Sequence, residues 1–313
     1  MPKKPELLAP EDNGFQTYLS DHGFHLPGHG DYSEPANLDE LKAVMVRNDR
    51  QDIDDAALKI SEVPHRDRIM LRAVPILNGA GDTGFEAGIT FDNLKPLIER
   101  SDSRKPGLIE ARPALYRGAN KGKLNSSVIK ALGPLIVPSR LSDALVVPNF
   151  FVEAWADNSK ADERKRQSLY IGCMGARGIQ ALQSHGTTPI YDDNAYSIMA
   201  DIYDSILTLH SVHLTKPGEC ESSPSFHMTC LAVLPMVSKD QFRAAVVAYR
   251  NLRDWADQKR DYFINSANER VMLPLSLAKH LGILGLMWLI DAPGNRKFAV
   301  LNGSTQRRLN GLS

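Results

Sequence analysis

The stretch that most constrains the fold is the run from Leu145 to Val152, LVVPNFFV, in which Asn149 is the polar interruption. β-Branched and aromatic residues dominate it, and no alternation separates an inner from an outer face. Such a run predicts a strand covered on both sides. Glu153 closes the run, and a polar turn over Asp157, Asn158 and Ser159 follows. The next segment places Leu169, Met174, Ile179 and Leu182 at helical intervals, with Gly172, Gly175, Ala176 and Gly178 among them. Small residues let a helix approach a sheet closely, so the pattern predicts a helix laid back over the strand. The expected class is α/β, a mixed sheet flanked by helices. Glu153 then stands at the strand's end, facing a helix that carries Lys165, Arg166, Gln167 and Tyr170.

A carboxylate there has two readings. It is either the first solvated residue after the core or a ligand for Mg²⁺, which takes one or two carboxylates together with substrate phosphates. The surrounding residues resemble a known family. PNFFVEAW, followed by KRQSLY and GARGIQALQSHG, is similar to a filamentous-fungal family of unknown function with a PD-(D/E)XK, restriction-endonuclease-like fold. GITFDNLKPL and ARPALYRGA upstream extend the likeness, as do YDDNAYSIMADIYDSILTLHSVH, FHMTCL and FRAAVVAYRNLRDWADQKRDYFI downstream. It covers Gly88 to Ile264, with an echo in FQTYLSDHGF near the N-terminus. The resemblance implies a nuclease-like core over 106–265, preceded by a helical and irregular region over 1–105 and followed by an extension packed on the core over 266–313.

Two departures bear on activity. Where the family reads Arg-Pro-Asp the chain has Arg112, Pro113 and Ala114, and where it reads Glu-Ala-Lys the chain has Glu153, Ala154 and Trp155. In that class the Asp and Glu hold the metal and the Lys serves the attacking water. The resemblance thus implies a remnant site of Glu153, Gln167 and Tyr170, with Ala114 and Trp155 at the positions of the lost Asp and Lys. The expected function is a pseudoenzyme that binds nucleic acid or a protein partner without cutting, with Lys160, Lys165 and Arg166 as phosphate contacts. The alternative is an active Mg²⁺-dependent endonuclease with relocated groups. Asp143, ten residues before Glu153, would be the second metal ligand, and Lys160 or Lys165 would supply the ammonium. A third reading is a protein-contact surface built on an exposed Trp155. No cofactor is expected, or Mg²⁺ if the chain is active.

Composition narrows the classes. With 37 basic and 37 acidic residues the formal charge is +0, so any attraction to nucleic acid must come from a local patch. Cys173, Cys220 and Cys230 show no metal-type spacing, and their odd number argues for a reducing compartment. MPKKPELLAPEDNG lacks the apolar core of a signal peptide. The expectation is an intracellular protein, cytoplasmic or nuclear and not secreted. The apolar run Leu281–Ile290 is about half a membrane span, which predicts no membrane role. NGAGDTG lacks the features of a phosphate loop or a dinucleotide fingerprint, and no small-molecule cofactor is evident.

Elsewhere the patterning predicts a strand over Leu108–Tyr116, a helix from Asn125 to Leu132 broken by LGPLIVPS, and a strand over Phe226–Leu234. Tyr196–Ala200 and Ile206–Val212 read as a hairpin around a turn at Asp201–Ser205. Residues 47–68 read as a solvated, charge-dense helix, and His22, His25 and His29 as solvated loop residues. A long helix over Lys239–Ile264 has Phe242, Val246, Tyr249 and Leu252 on its apolar side. Its other face interleaves Arg243, Arg250, Arg253, Lys259 and Arg260 with Asp254, Asp257 and Asp261, and reads as a solvated, self-paired surface, with a nucleic-acid surface as the alternative.

Overall fold

The computed structural model describes residues 7–28, 31–47, 50, 52–53, 70, 73–79, 82, 84–98, 106–156, 158–218, 223–280, 290–291 and 295–296. Most of the charge-dense segment 47–68, together with His29, Cys220 and nearly all of the run from Leu281, lies outside those residues.

In chain order the elements are β1 (Leu7–Leu8), α1 (Asn13–Ser20), β2 (Phe24–His25), α2 (Leu38–Met45), α3 (Val74–Asn78), β3 (Phe85–Ala87), β4 (Gly107–Leu108) and β5 (Leu115–Ala119). There follow α4 (Ser126–Ile136), β6 (Val146–Ala154), α5 (Ala161–Ser184), β7 (Ser197–Tyr203), β8 (Ile206–Thr215), β9 (Ser225–Pro235) and α6 (Lys239–His280). Seven strands form one mixed sheet in the order β2-β9-β8-β7-β6-β5-β3. The β6–β7 and β2–β9 pairs are parallel and the rest antiparallel. Helices α1 and α5 cover one face, while α2, α3 and α6 cover the other.

All nine residues of β6 are buried, which is why its sequence shows no alternation. Phe150, Val152 and Ala154 face α6, whereas Phe151 packs with Tyr116, Met199 and the residues of α5. Near its start the β5–β6 register slips, and the β-branched Val147 takes φ 54°, a bulge that re-aims the strand. Gly118 makes that approach feasible, because a Cβ there would meet the Val146 carbonyl oxygen at 2.6 Å. Asn149, the polar member of the run, ties the sheet to α6. Its amide donates to the carbonyls of Ala256 (2.8 Å) and Tyr196 (3.1 Å), and its oxygen accepts from Arg260 at 2.8 Å.

Several elements differ from the sequence reading. The strand expected over Leu108–Tyr116 is two pieces: β4 pairs with β1 in a separate ladder, and only Leu115–Ala119 joins the main sheet. The hairpin strands are longer than expected. Asp204 and Ser205 both have positive φ (46° and 57°), so a two-residue turn is enough to reverse the chain and Asp201 lies within β7. Helix α4 continues through Pro134 to Ile136, past the expected break, capped by the Asn125 side chain, which accepts from Ser127 N–H at 2.9 Å. Helix α6 runs to His280, across the boundary expected at residue 265. The N-terminal region contributes β2 and β3 to the main sheet and is therefore part of the core's architecture.

The charged face of α6 is a correction of more consequence. Arg250, Arg253 and Arg260 are buried, not solvated. Arg253 bonds Asp82 (2.8 Å) and Asp254, Arg250 bonds Asp52 (3.0 Å), and Arg260 bonds Asp257 (2.7 Å), which also holds Arg117 at 2.6 Å. Charges taken out of water need paired, hydrogen-bonded partners, and the partners come largely from residues 52–82. Because these guanidinium groups are buried in ion pairs, they are not an open surface for phosphates.

Candidate functional site

Glu153 sits inside β6 and is 1% exposed, so it is not the first solvated residue after the strand. Its Oε1 accepts the backbone N–H of Ala114 at 3.0 Å. This contact follows from the antiparallel register, in which Leu115 faces Val152 and the preceding residue therefore comes beside Glu153. The positions to which the resemblance assigned an Asp and a Glu are thus neighbours, one immediately before β5 and the other in β6. A methyl group occupies one of them.

On the other flank, the parallel β6–β7 register sets Asp201 opposite Glu153. Paired residues share a face, and this face is covered by α5. Ser168, in the third turn of α5, donates its hydroxyl to both oxygens of Asp201, at 2.7 and 2.9 Å. Trp155 donates Nε1–H to Asp201 Oδ1 at 3.2 Å, and His210 Nε2 lies 3.3 Å from Oδ2. Trp155 is 7% exposed, so the expectation of an exposed tryptophan at a cleft rim is wrong. Its indole is a buried donor on the carboxylate of the next strand, and its backbone N–H continues the pairing to the Ile202 carbonyl at 3.0 Å.

A cavity of about 300 Å³ lies at this end of β6, lined by Glu153, Trp155, Asn158, Ser159, Glu163 and Gln167. Gln167 therefore shares a wall with Glu153. Tyr170 does not. It is buried against Phe15 on the α1–α5 side and donates its hydroxyl to the Ile109 carbonyl at 2.7 Å, and burial raises its pKa. Glu163, Ser168, Asp201 and His210 were not foreseen as site residues. For Glu163 the signal was available, since it lies four residues before Gln167 and so on the same helical face.

Asp143 is at the opposite end of β6 from Glu153. The intervening strand from Val146 to Glu153 spans roughly 23 Å at about 3.3 Å per residue, so the two carboxylates cannot hold one ion. Asp143 instead accepts from the Ser142 hydroxyl at 3.0 Å. Lys160 is the exposed residue preceding α5, and Lys165 is exposed on its first turns. Arg166 ties the N-terminal arm to the helix by donating Nε–H to the Pro10 carbonyl at 2.8 Å.

The donor set near Glu153 does not fit a Mg²⁺ ion held by the protein. The ion demands near-octahedral oxygen coordination, whereas Glu153 bonds the strand beside it and the oxygens of Asp201 are engaged by Ser168, Trp155 and His210. Among the described residues no group of three or more His, Cys, Asp or Glu side chains is placed to hold a metal. Likewise, among the described residues no helix is long and apolar enough to cross a membrane. Comparison with protein-family models and with curated proteins finds no match to this chain.

Proposed function

We propose that the chain is a PD-(D/E)XK nuclease-like scaffold that binds nucleic acid without cutting it. The observation that carries the reading is the fate of Glu153: it lies beside the position expected for its acidic partner, yet it accepts the Ala114 N–H and serves as a link between strands. Support also comes from Trp155, which fills the expected lysine position and turns inward onto Asp201. Phosphodiester cleavage draws on charge stabilisation by a metal and on a cation near the attacking water, and among the described residues lining this cavity there is no lysine or arginine. Lys160 and Lys165, exposed at the start of α5, are the phosphate contacts.

The competing reading, a working nuclease with relocated groups, has one observation in its favour. Glu163 shares the cavity with Glu153. Incubation of the natural protein with linear duplex DNA and with RNA in Mg²⁺ or Mn²⁺ separates the two. No cleavage above background is expected. Binding is expected to weaken steeply with salt and to weaken further in Lys160→Glu with Lys165→Glu. Cleavage that Glu153→Gln abolishes would replace this proposal with the relocated nuclease, and salt-insensitive or absent binding would remove the nucleic acid from it.

A further inference from the structure

A second cavity, of about 600 Å³, opens where the sheet runs past the start of α5. That helix begins at Ala161, after β6 has ended, and its first turns meet the end of β7 through Ser168 on Asp201 and Arg164 on Tyr203. The register puts Asp201, Thr208 and Val233 in one row and Tyr203 with Ile206 in the next, on the face that α5 covers. Thr208 and Ile206 are half-buried, and Val233 is 57% exposed. Leu26 and Met228 add apolar wall. Small-molecule sites occupy roughly 300–1,000 Å³, so a body of nucleotide size has room here.

One wall is cationic. Arg164, Lys165 and Arg166 line the cavity, against Asp162 on the same turns and the buried Asp201. Arg164 is held in place, since it donates to the Ser159 carbonyl at 2.6 Å and its guanidinium lies 3.8 Å from the centre of the Tyr203 ring. A guanidinium stacked by one face has its other face to offer to a planar base. A paired base reaches such a surface only by leaving the duplex, which is costly. Lys165 also belongs, with Lys160 just before the helix, to the phosphate contacts named above, so the cavity continues that path.

We propose that the nucleic acid is bound as a single strand, its phosphates on Lys160 and Lys165 and an unpaired base entering this cavity to stack on Arg164, among Leu26, Met228 and Val233. The base site rests on the nucleic-acid reading and adds to it the state of the strand.

Three fluorescent ligands of about 20 nucleotides, each made as DNA and as RNA, are titrated against the full chain by anisotropy at low salt. They are an oligopyrimidine, whose bases stay unpaired, its duplex with the complementary strand, and an abasic strand that keeps the phosphates and lacks the bases. The oligopyrimidine is expected to bind at least about fivefold more tightly than either of the others, the lower end of what stacking one base contributes. Val233→Trp, which fills the cavity from an exposed position, should bring the oligopyrimidine down to the affinity of the abasic strand. Arg164→Lys, which keeps the charge and loses the plane, should weaken it about threefold or more. Melting temperatures check that each variant is folded, and Arg164→Lys decides if Val233→Trp is not. An abasic strand or a duplex that binds as tightly as the oligopyrimidine, or folded variants that bind it as the natural protein does, overturns the proposal and leaves the nuclease-like reading standing. Absence of salt-sensitive binding to all three ligands removes both.

Discussion

Acidification should destabilise the fold through two buried imidazoles, His213 and His227, which stack with each other and, through His227, with His25 across the β2–β9–β8 edge of the sheet. His25 and His227 are paired in register, as are His227 and His213, and both ring pairs lie 5.0 Å apart. His213 and His227 are 1% and 2% exposed. Burial holds the pKa of His213 down to about 4, with Asp192 opposing it. Burial, followed by the nearby rings of His213 and His25, holds His227 down to about 3. His227 Nδ1 accepts the backbone N–H of Ser33 at 3.2 Å, so its other nitrogen donates to the Thr215 hydroxyl at 3.0 Å. Protonating His227 removes that acceptor and with it the bond to Ser33. Between pH 6.5, near the unfolded value, and pH 4 the unfolded chain binds protons that the folded chain does not. Stability is therefore full above that window and is lost as pH falls through it. At pH 4.5 His213 and His227 each account for about 2.5 kcal/mol, a large share of the 5–15 kcal/mol typical of a domain. Asp52, whose pKa the Arg50 guanidinium lowers to about 2, weakens the fold only below about pH 4, so the two windows are separable. Urea denaturation at pH 7 and at pH 4.5 reads the effect, and His213→Asn should recover about half of the loss. Equal stability at the two pH values, or an undiminished loss in His213→Asn, would refute the reasoning.

Two further substitutions test the packing around the candidate site. A Cβ at Gly175 would come within 2.6 Å of Ser197 Oγ, 2.8 Å of Phe151 and 3.0 Å of the Pro148 carbonyl. Gly175→Ala should thus lower stability by about 1–3 kcal/mol in thermal or urea unfolding, reversing the gain of up to about 1 kcal/mol that helix propensity alone would give. Trp155→Phe removes the indole donor on Asp201 and should cost about 1.5–3 kcal/mol; a variant as stable as the natural protein would show that this hydrogen bond contributes no net stability.

Much of the sheet was legible because burial on two faces leaves a plain mark. Leu145–Val152 reads as a covered strand without any neighbour in view, and the small residues of α5 report its close approach. What stayed hidden depends on pairing between distant segments. Glu153 and Trp155 alternate with Ala154 as strand residues do, but a carboxylate after an apolar run reads equally well as the strand's end. The burial of Arg250, Arg253 and Arg260 could not be seen in α6, where alternating Arg and Asp resembles solvated ion pairing. The segment covering that face supplies Asp52 and Asp82 from well over 150 positions away in the chain. Asp201 was obscured by turn formers: Asp201, Asp204 and Ser205 suggested a five-residue turn, whereas positive φ at the last two completes the reversal. His25 looked like a loop histidine because its strand is two residues long and exists through pairing with β9.

Manganese titration of the natural protein by calorimetry, with Glu153→Gln as the paired control, bears most directly on the proposal that this site holds no metal. With Glu153 bonded to Ala114 and Asp201 engaged by three donors, no saturable binding is expected below about 1 mM, since one or two carboxylates without substrate phosphates leave the ion its water shell. A dissociation constant in the micromolar range that Glu153→Gln abolishes would contradict the account.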